Sequence, residues 1–123
     1  MKNAKLADLD NDALVERFVA AAKQMGMAVL DHETRKANRI FQIMWDIDLV
    51  LRSRGREARL KLVPLLDDKD GFVRYYAAKK LLGLVPDRAR AVIEGIADPK
   101  FDALSGDAGM CLYALDEGIF KPD

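Results

Sequence analysis

A chain of 123 residues with no net charge, half of it hydrophobic and a third charged, is the size of one domain and can bury a core without covalent staples. Its one cysteine, Cys111, excludes an internal disulfide, and no apolar run approaches the roughly 20 residues that cross a bilayer. The start MKNAKLADLD lacks the apolar stretch of a signal peptide, so the expectation is a soluble cytoplasmic protein with no membrane contact.

Residues 1–9 read as a flexible lead, followed by one domain over 10–118 and a short tail over 119–123. Asp10 can cap a first helix in which Leu14, Phe18, Ala21, Met25 and Val29 recur at steps of three and four, with Asp12, Glu16 and Lys23 opposite. Gly26 falls inside that pattern and marks a place where the helix can bend or end. Asp31 reads as the next cap, and the second helix, Glu33 to Arg54, is the longest. Ile40, Ile43, Met44, Ile47, Val50 and Leu51 form one apolar stripe and Phe41, Trp45 and Leu49 an adjacent one. Only Arg35, Arg39, Gln42 and Asp46 make a polar strip, so this helix reads as the central beam of the core. Gly55 suits the left-handed position after it.

A third helix, about Arg56 to Leu66, buries Leu62, Leu65 and Leu66 and is bent by Pro64. Asp70 caps a fourth, where Val73, Ala77, Leu81, Leu84 and Val85 face inward and Tyr76, Lys79, Lys80 and Gly83 outward. Pro86 suits the first turn of a fifth helix that buries Ala89, Ile93 and Ile96. A polar loop, 98–102, leads to a sixth that buries Leu104, Ala108, Cys111 and Leu115 and ends at Gly118.

Sliding the chain by 30 residues places Leu62 on Val92, Leu66 on Ile96, Asp68 on Asp98 and Ala78 on Ala108. Matching inner positions at a fixed period imply stacked helical hairpins, about six helices in three pairs. The stretch LVPLLDDKDGFVRYYAAKKLL then resembles a HEAT repeat, with proline in the first helix, aspartate in the turn, then Val73, Arg74 and the Ala77–Ala78 pair. The whole chain also resembles a small bacterial family of HEAT-like proteins known only as a domain of unknown function, with Asn38 inside KANRIF as a family-like position. The resemblance implies an all-α, α-α superhelix of HEAT/armadillo type in a bacterial cytoplasm. It transfers no activity.

Each cluster that could carry chemistry has a structural alternative. Arg74 on an apolar face must be paired, with Asp67, Asp68, Asp70 and Asp98 as candidates. Asn38 is expected to cross-link backbone as a buried amide. Asp46 and Asp48, two apart on a helix, point to different faces and cannot share a metal or a proton. The DDKD turn lacks the spacing of a calcium loop. With one histidine, His32, and one cysteine, no zinc cage can be assembled from this chain alone, and no phosphate loop or nucleophile elbow is present. Neither cofactor nor metal is expected, and the reading is of a protein that is not an enzyme.

Two surfaces remain as binding candidates. The first is a protein-binding face from Tyr75, Tyr76 and Lys79 on the fourth helix with Met110 and Tyr113 on the sixth, tyrosine being favoured at interface hot spots. Its partner would be another protein, an inhibitor or immunity-type pairing being one version, or a second copy through the sixth helix, whose outer face is unusually apolar for the end of a stack. The second is the basic cluster Arg52, Arg54, Arg56, Arg59 and Lys61, which could bind the phosphates of a nucleic acid. Asp48 and Glu57 lie within reach of these cations and no aromatic residue interleaves with them, so a solvated turn is the expected role.

Overall fold

A computed structural model describes residues 3–98 and 103–123. Among the described residues the chain is all-α, with six α-helices, two 3-10 helices and no strand. The helices group into two compact units, residues 1–62 and 63–123.

In the first unit a 3-10 helix, Asn3–Asp8, precedes α1 (Asn11–Leu30), α2 (Thr34–Arg54) and α3 (Arg56–Leu60). Residues 3–8, read from the sequence as part of a flexible lead, thus have regular structure, and Leu6 is buried. Asp10 caps α1 as its position requires, its Oδ1 accepting from the Ala13 N–H at 2.8 Å. Gly26 neither bends nor ends this helix; it is buried, and α1 runs four residues past it. Asp31 closes α1 rather than opening α2, whose N-cap position holds Glu33 without a side-chain bond. His32 takes the left-handed turn between the two helices, with φ at 58°. Gly55 ends α2 at φ 109°, a conformation costly for any residue with a Cβ. Leu14 and Phe18 on α1 pack with Met44, Ile47 and Leu51 on α2, all of them out of water. Burying a side chain of this size contributes about 1.5–3 kcal/mol.

The second apolar stripe of α2 does not enter that core. Phe41, Trp45 and Leu49 remain 42%, 46% and 50% exposed, so α2 is not the central beam that its composition suggested.

In the second unit a 3-10 helix, Val63–Asp67, is followed by α4 (Gly71–Leu81), α5 (Pro86–Ala97) and α6 (Ser105–Asp116). The expected helix from Arg56 to Leu66 is interrupted at Lys61 and Leu62. Pro64 has no N–H to donate and disfavours helical geometry at Val63, so the chain restarts there as a 3-10 turn instead of bending. Asp70 caps α4 with bonds from Phe72 N at 2.8 Å and Val73 N at 3.3 Å. Pro86 opens α5 and Gly118, at φ 73°, follows α6. The beam of this unit is α4: Val73, Tyr75, Ala77, Ala78 and Leu81, with Leu82 just after it, are all buried and cover somewhat more than half of its circumference. Paired alanines let neighbours approach closely. The 3-10 helix and α5 both pack on α4, and α6 packs on α5.

Candidate functional site

The densest set of polar groups in the second unit joins α4 to α6. Tyr75 is fully buried, and its hydroxyl donates to Oδ2 of Asp107, the third residue of α6. Lys79, one turn along α4, places its Nζ 3.9 Å from the same oxygen and 5.4 Å from the centre of the Tyr75 ring. Tyr76 meets Tyr75 edge to face, centroids 5.3 Å apart. Burial first, then the hydrogen bond to Asp107, hold the Tyr75 phenol far above its usual pKa, so it stays a donor. Burial followed by the Asp107 charge pushes Tyr76 up to about 12. Cys111, one turn beyond Asp107, is buried, and that burial raises its thiol pKa while Lys79 and Arg90 partly oppose the shift. A thiol kept protonated is a poor nucleophile. This arrangement is a tether between helices.

Tyr75 was expected to face a partner; it cannot, because it lies on the side of α4 shared with Ala78 and Leu82. The period alone left its side undecided, since on α4 Tyr75 falls between the inward Ala78 and the outward Lys79. The missing signal was Asp107, an acid at helical spacing between Leu104 and Cys111, which though partly in water stands within reach of a donor on α4. Tyr76 and Lys79 are half-buried and engaged with Tyr75 and Asp107. Met110 and Tyr113 point away from this tether and are 74% and 62% exposed. The tail does not cover them: Ile119 and Phe120 donate their N–H groups back to the Ala114 carbonyl, and the Asp123 backbone then lies against Gly83.

The structural expectations resolve residue by residue. Arg74 is half-buried and donates not to a carboxylate but to the carbonyls of Asp68 at 2.8 Å and Lys69 at 3.1 Å. Asp68 turns its carboxylate to the Asp70 N–H, at 2.8 Å, so acid and arginine brace the same turn separately. Asp98 is exposed beyond the end of α5, and the rest of the expected loop, 99–102, lies outside the described residues. Asn38 is exposed on α2, so it is not the buried cross-link its setting suggested. A network missed by sequence reading ties α5 to α6: Arg90 bonds Glu94 at 2.9 Å and Asp116 at 2.9 Å.

The basic cluster is partly engaged within its own unit: Arg52 is half-buried and Arg59 buried, while Arg54, Arg56 and Lys61 are exposed. Arg52 Nε donates to the buried Asp48 at 2.7 Å, and Arg54 spans to Asn11 Oδ1 at 2.9 Å and the Ala7 carbonyl at 3.0 Å. Lys61 stands 3.7 Å from Asp12, and Arg59 is buried. Among the described residues Arg56, which is exposed, has no bond or ion pair. A phosphate track needs several free cations in a row, which this stretch does not present. Asp46 accepts from Gln42 at 2.9 Å, away from Asp48 as expected. Among the described residues no group of three or more His, Cys, Asp or Glu side chains could hold a metal, and no helix is long and apolar enough to cross a membrane.

Comparison with known proteins adds a family and a relative. The family model of DUF2019, a domain of unknown function, matches residues 12–116, from the first turn of α1 to the end of α6. The chain is also similar to the crystal structure of the protein RPA1889 from Rhodopseudomonas palustris CGA009, at 35% identity and a TM-score of 0.90, over 96% of this chain and 98% of that one. No curated protein matches the chain.

Proposed function

The chain belongs to the DUF2019 family, a domain of unknown function, and on that premise we propose that it is a non-catalytic module that binds another protein through the outer face of α6. The observation that carries this reading is the relief of that face. Gly106, Met110 and Tyr113 follow one another at helical spacing; both large side chains stand mostly in water, and open space surrounds Gly106 and Gly109. An exposed tyrosine and methionine beside bare helix backbone are what a partner's side chains can fill and cover. The burial of Tyr75 and Cys111, with Asp107 engaged as acceptor of the Tyr75 hydroxyl, supports a scaffold rather than a catalyst. Within the family we read residues 62–82 as a HEAT-like repeat. Pro64, the Asp68 turn, Val73, Arg74 and the Ala77–Ala78 pair stand in that order, and α4, α5 and α6 pack on their neighbours in sequence, as repeat units do.

The test is nuclease-treated affinity capture with the tagged chain, beside a Met110→Asp, Tyr113→Ala variant shown by circular dichroism to be folded. A stoichiometric protein retained by the native face and lost from the variant supports the reading; light scattering decides whether that protein is a second copy. Capture that is unchanged in the variant, or no captured protein at all, refutes it.

A further inference from the structure

Gly106, Met110, Tyr113 and Glu117 recur at steps of four, three and four along α6, with Gly109 beside them. All five are exposed, on the side of the helix opposite the buried Leu104, Ala108 and Cys111. The chain's own fold does not require the two glycines. Both sit in ordinary helical backbone, and a Cβ built on either would meet nothing within 4 Å. At Gly55 and Gly118 the reason is internal, a positive φ, and at Gly83 it is the tail lying against the backbone. Glycine weakens a helix relative to alanine. What it permits is the close approach of another molecule to bare backbone.

The hollows and projections of this face are related by symmetry. About the midpoint between Gly109 and Met110, position 106 exchanges with position 113. Gly106 and Tyr113 are seven residues apart, close to two full turns, so they stand on one line of the helix. When a second α6 is laid antiparallel across this line, the Tyr113 ring of each copy falls on the bare backbone at Gly106 of the other. The two Met110 side chains then meet beside the two-fold axis on one flank, and the two Gly109 positions meet on the other. A patch that is its own complement is the condition for an isologous dimer.

Charge sets the direction of the pair. No residue of α6 is cationic, and the acids of its exposed side, Asp116 and Glu117, lie together at the C-terminal end, Asp116 already engaged by Arg90. A parallel pair would set these acids upon each other. The antiparallel pair separates them and brings Glu117 towards the N-terminus of the facing helix. That end of a helix is the positive end of its dipole, and its N-cap, Leu104, makes no side-chain bond. A nucleic acid or an acidic peptide finds no charge to pair with on this face.

We infer that the outer face of α6 is a self-association surface, two copies of this chain packing their α6 helices antiparallel with Tyr113 of each over Gly106 of the other. The inference rests on the reading of α6 as the interaction face and names its partner, a second copy. One helix crossing buries less than the roughly 800 Å² per partner of a standard interface. The dimer is therefore weak and reversible, and it forms as concentration rises.

Sedimentation velocity of the full chain, from micromolar to near-millimolar concentration, tests this with two variants. Gly106→Leu fills the hollow at a position surrounded by open space, with a better helix former, so the monomer keeps its fold. Tyr113→Ala removes the projection. The native chain is expected to pass from monomer to dimer, and each variant alone to associate about tenfold or more weakly, as loss of a central aromatic anchor implies. An equimolar mixture of the two should recover the dimer. There the new leucine meets the vacated position 113, while a native Gly106 and Tyr113 pair remains across the axis. A mass that stays monomeric throughout overturns the inference, as does a dimer that Gly106→Leu leaves intact or a mixture that recovers nothing. Should circular dichroism show Gly106→Leu unfolded, Met110→Asp and Met110→Lys decide instead. Each alone sets like charges together at the axis and stays monomeric, and their mixture associates; a mixture that does not associate overturns the inference. A monomeric chain that still captures a different protein through Met110 and Tyr113 removes the second copy and leaves the α6 reading standing. Absence of both association and capture removes that reading as well.

Discussion

Tyr75→Phe keeps the ring and removes one hydroxyl, so it isolates the bond that joins α4 to α6. Phenylalanine fills the same space and leaves no cavity, in contrast to truncation to alanine, which in a core costs about 3–5 kcal/mol. A hydrogen bond to a charged acceptor contributes about 1.5–3 kcal/mol net. Asp107 is 59% exposed and can be rehydrated once its donor is gone, which places the loss near the lower end, about 1.5 kcal/mol. For a chain of this length that is about 5 °C in Tm. Asp107→Ala removes the acceptor together with the ion pair to Lys79, a solvent-screened contact worth no more than a few tenths of a kcal/mol. Urea unfolding of both single variants and the double variant gives the coupling energy, expected at about 1–1.5 kcal/mol. A coupling below about 0.3 kcal/mol, within ordinary additivity, refutes the tether. A Tyr75→Phe protein as stable as the parent that has lost its captured partner would return Tyr75 to the surface.

Two other outcomes follow from the same unit. A Cβ built on Gly83 would overlap the Asp123 backbone carbonyl, so Gly83→Ala must lift the tail; limited proteolysis should cut within 119–123 faster in the variant, and an unchanged rate contradicts the contact. Alkali should destabilise the chain before other changes set in. Tyr75 and Tyr76 hold their protons above the ordinary value of 10.0 when folded, the latter to about 12, while the unfolded chain releases them near 10. The contribution is therefore complete below about pH 10 and is lost as the pH rises towards 12. Urea midpoints measured across that window should fall, and fall less steeply in Tyr75→Phe; a flat profile contradicts it.

Local signals were legible wherever one residue type satisfies one backbone need. Asp10 and Asp70 cap α1 and α4, Gly55 and Gly118 take left-handed positions, and Pro86 opens α5, each as its chemistry dictates. The inner stripes of α1, α5 and α6 were equally legible, because one polar face leaves a helix a single way to turn. Tertiary packing decided the rest. Two helices, α2 and α4, are apolar round most of their circumference, and composition ranked α2 as the beam. Ala77 and Ala78 of α4 allow the 3-10 helix and α5 close, whereas Phe41, Trp45 and Leu49 on α2 stay half in water.

The sequence by itself therefore determined an all-α chain, the ends of most of its helices, and the residues that open and close them, since these follow from contacts a few positions apart. Which apolar face is core and which is surface depended on residues far along the chain: Asp107 drew Tyr75 inward across 32 positions, and Asn11 took Arg54 out of the basic cluster across 43. Periodicity describes one helix at a time, and a binding surface is what remains after every helix has found its neighbours.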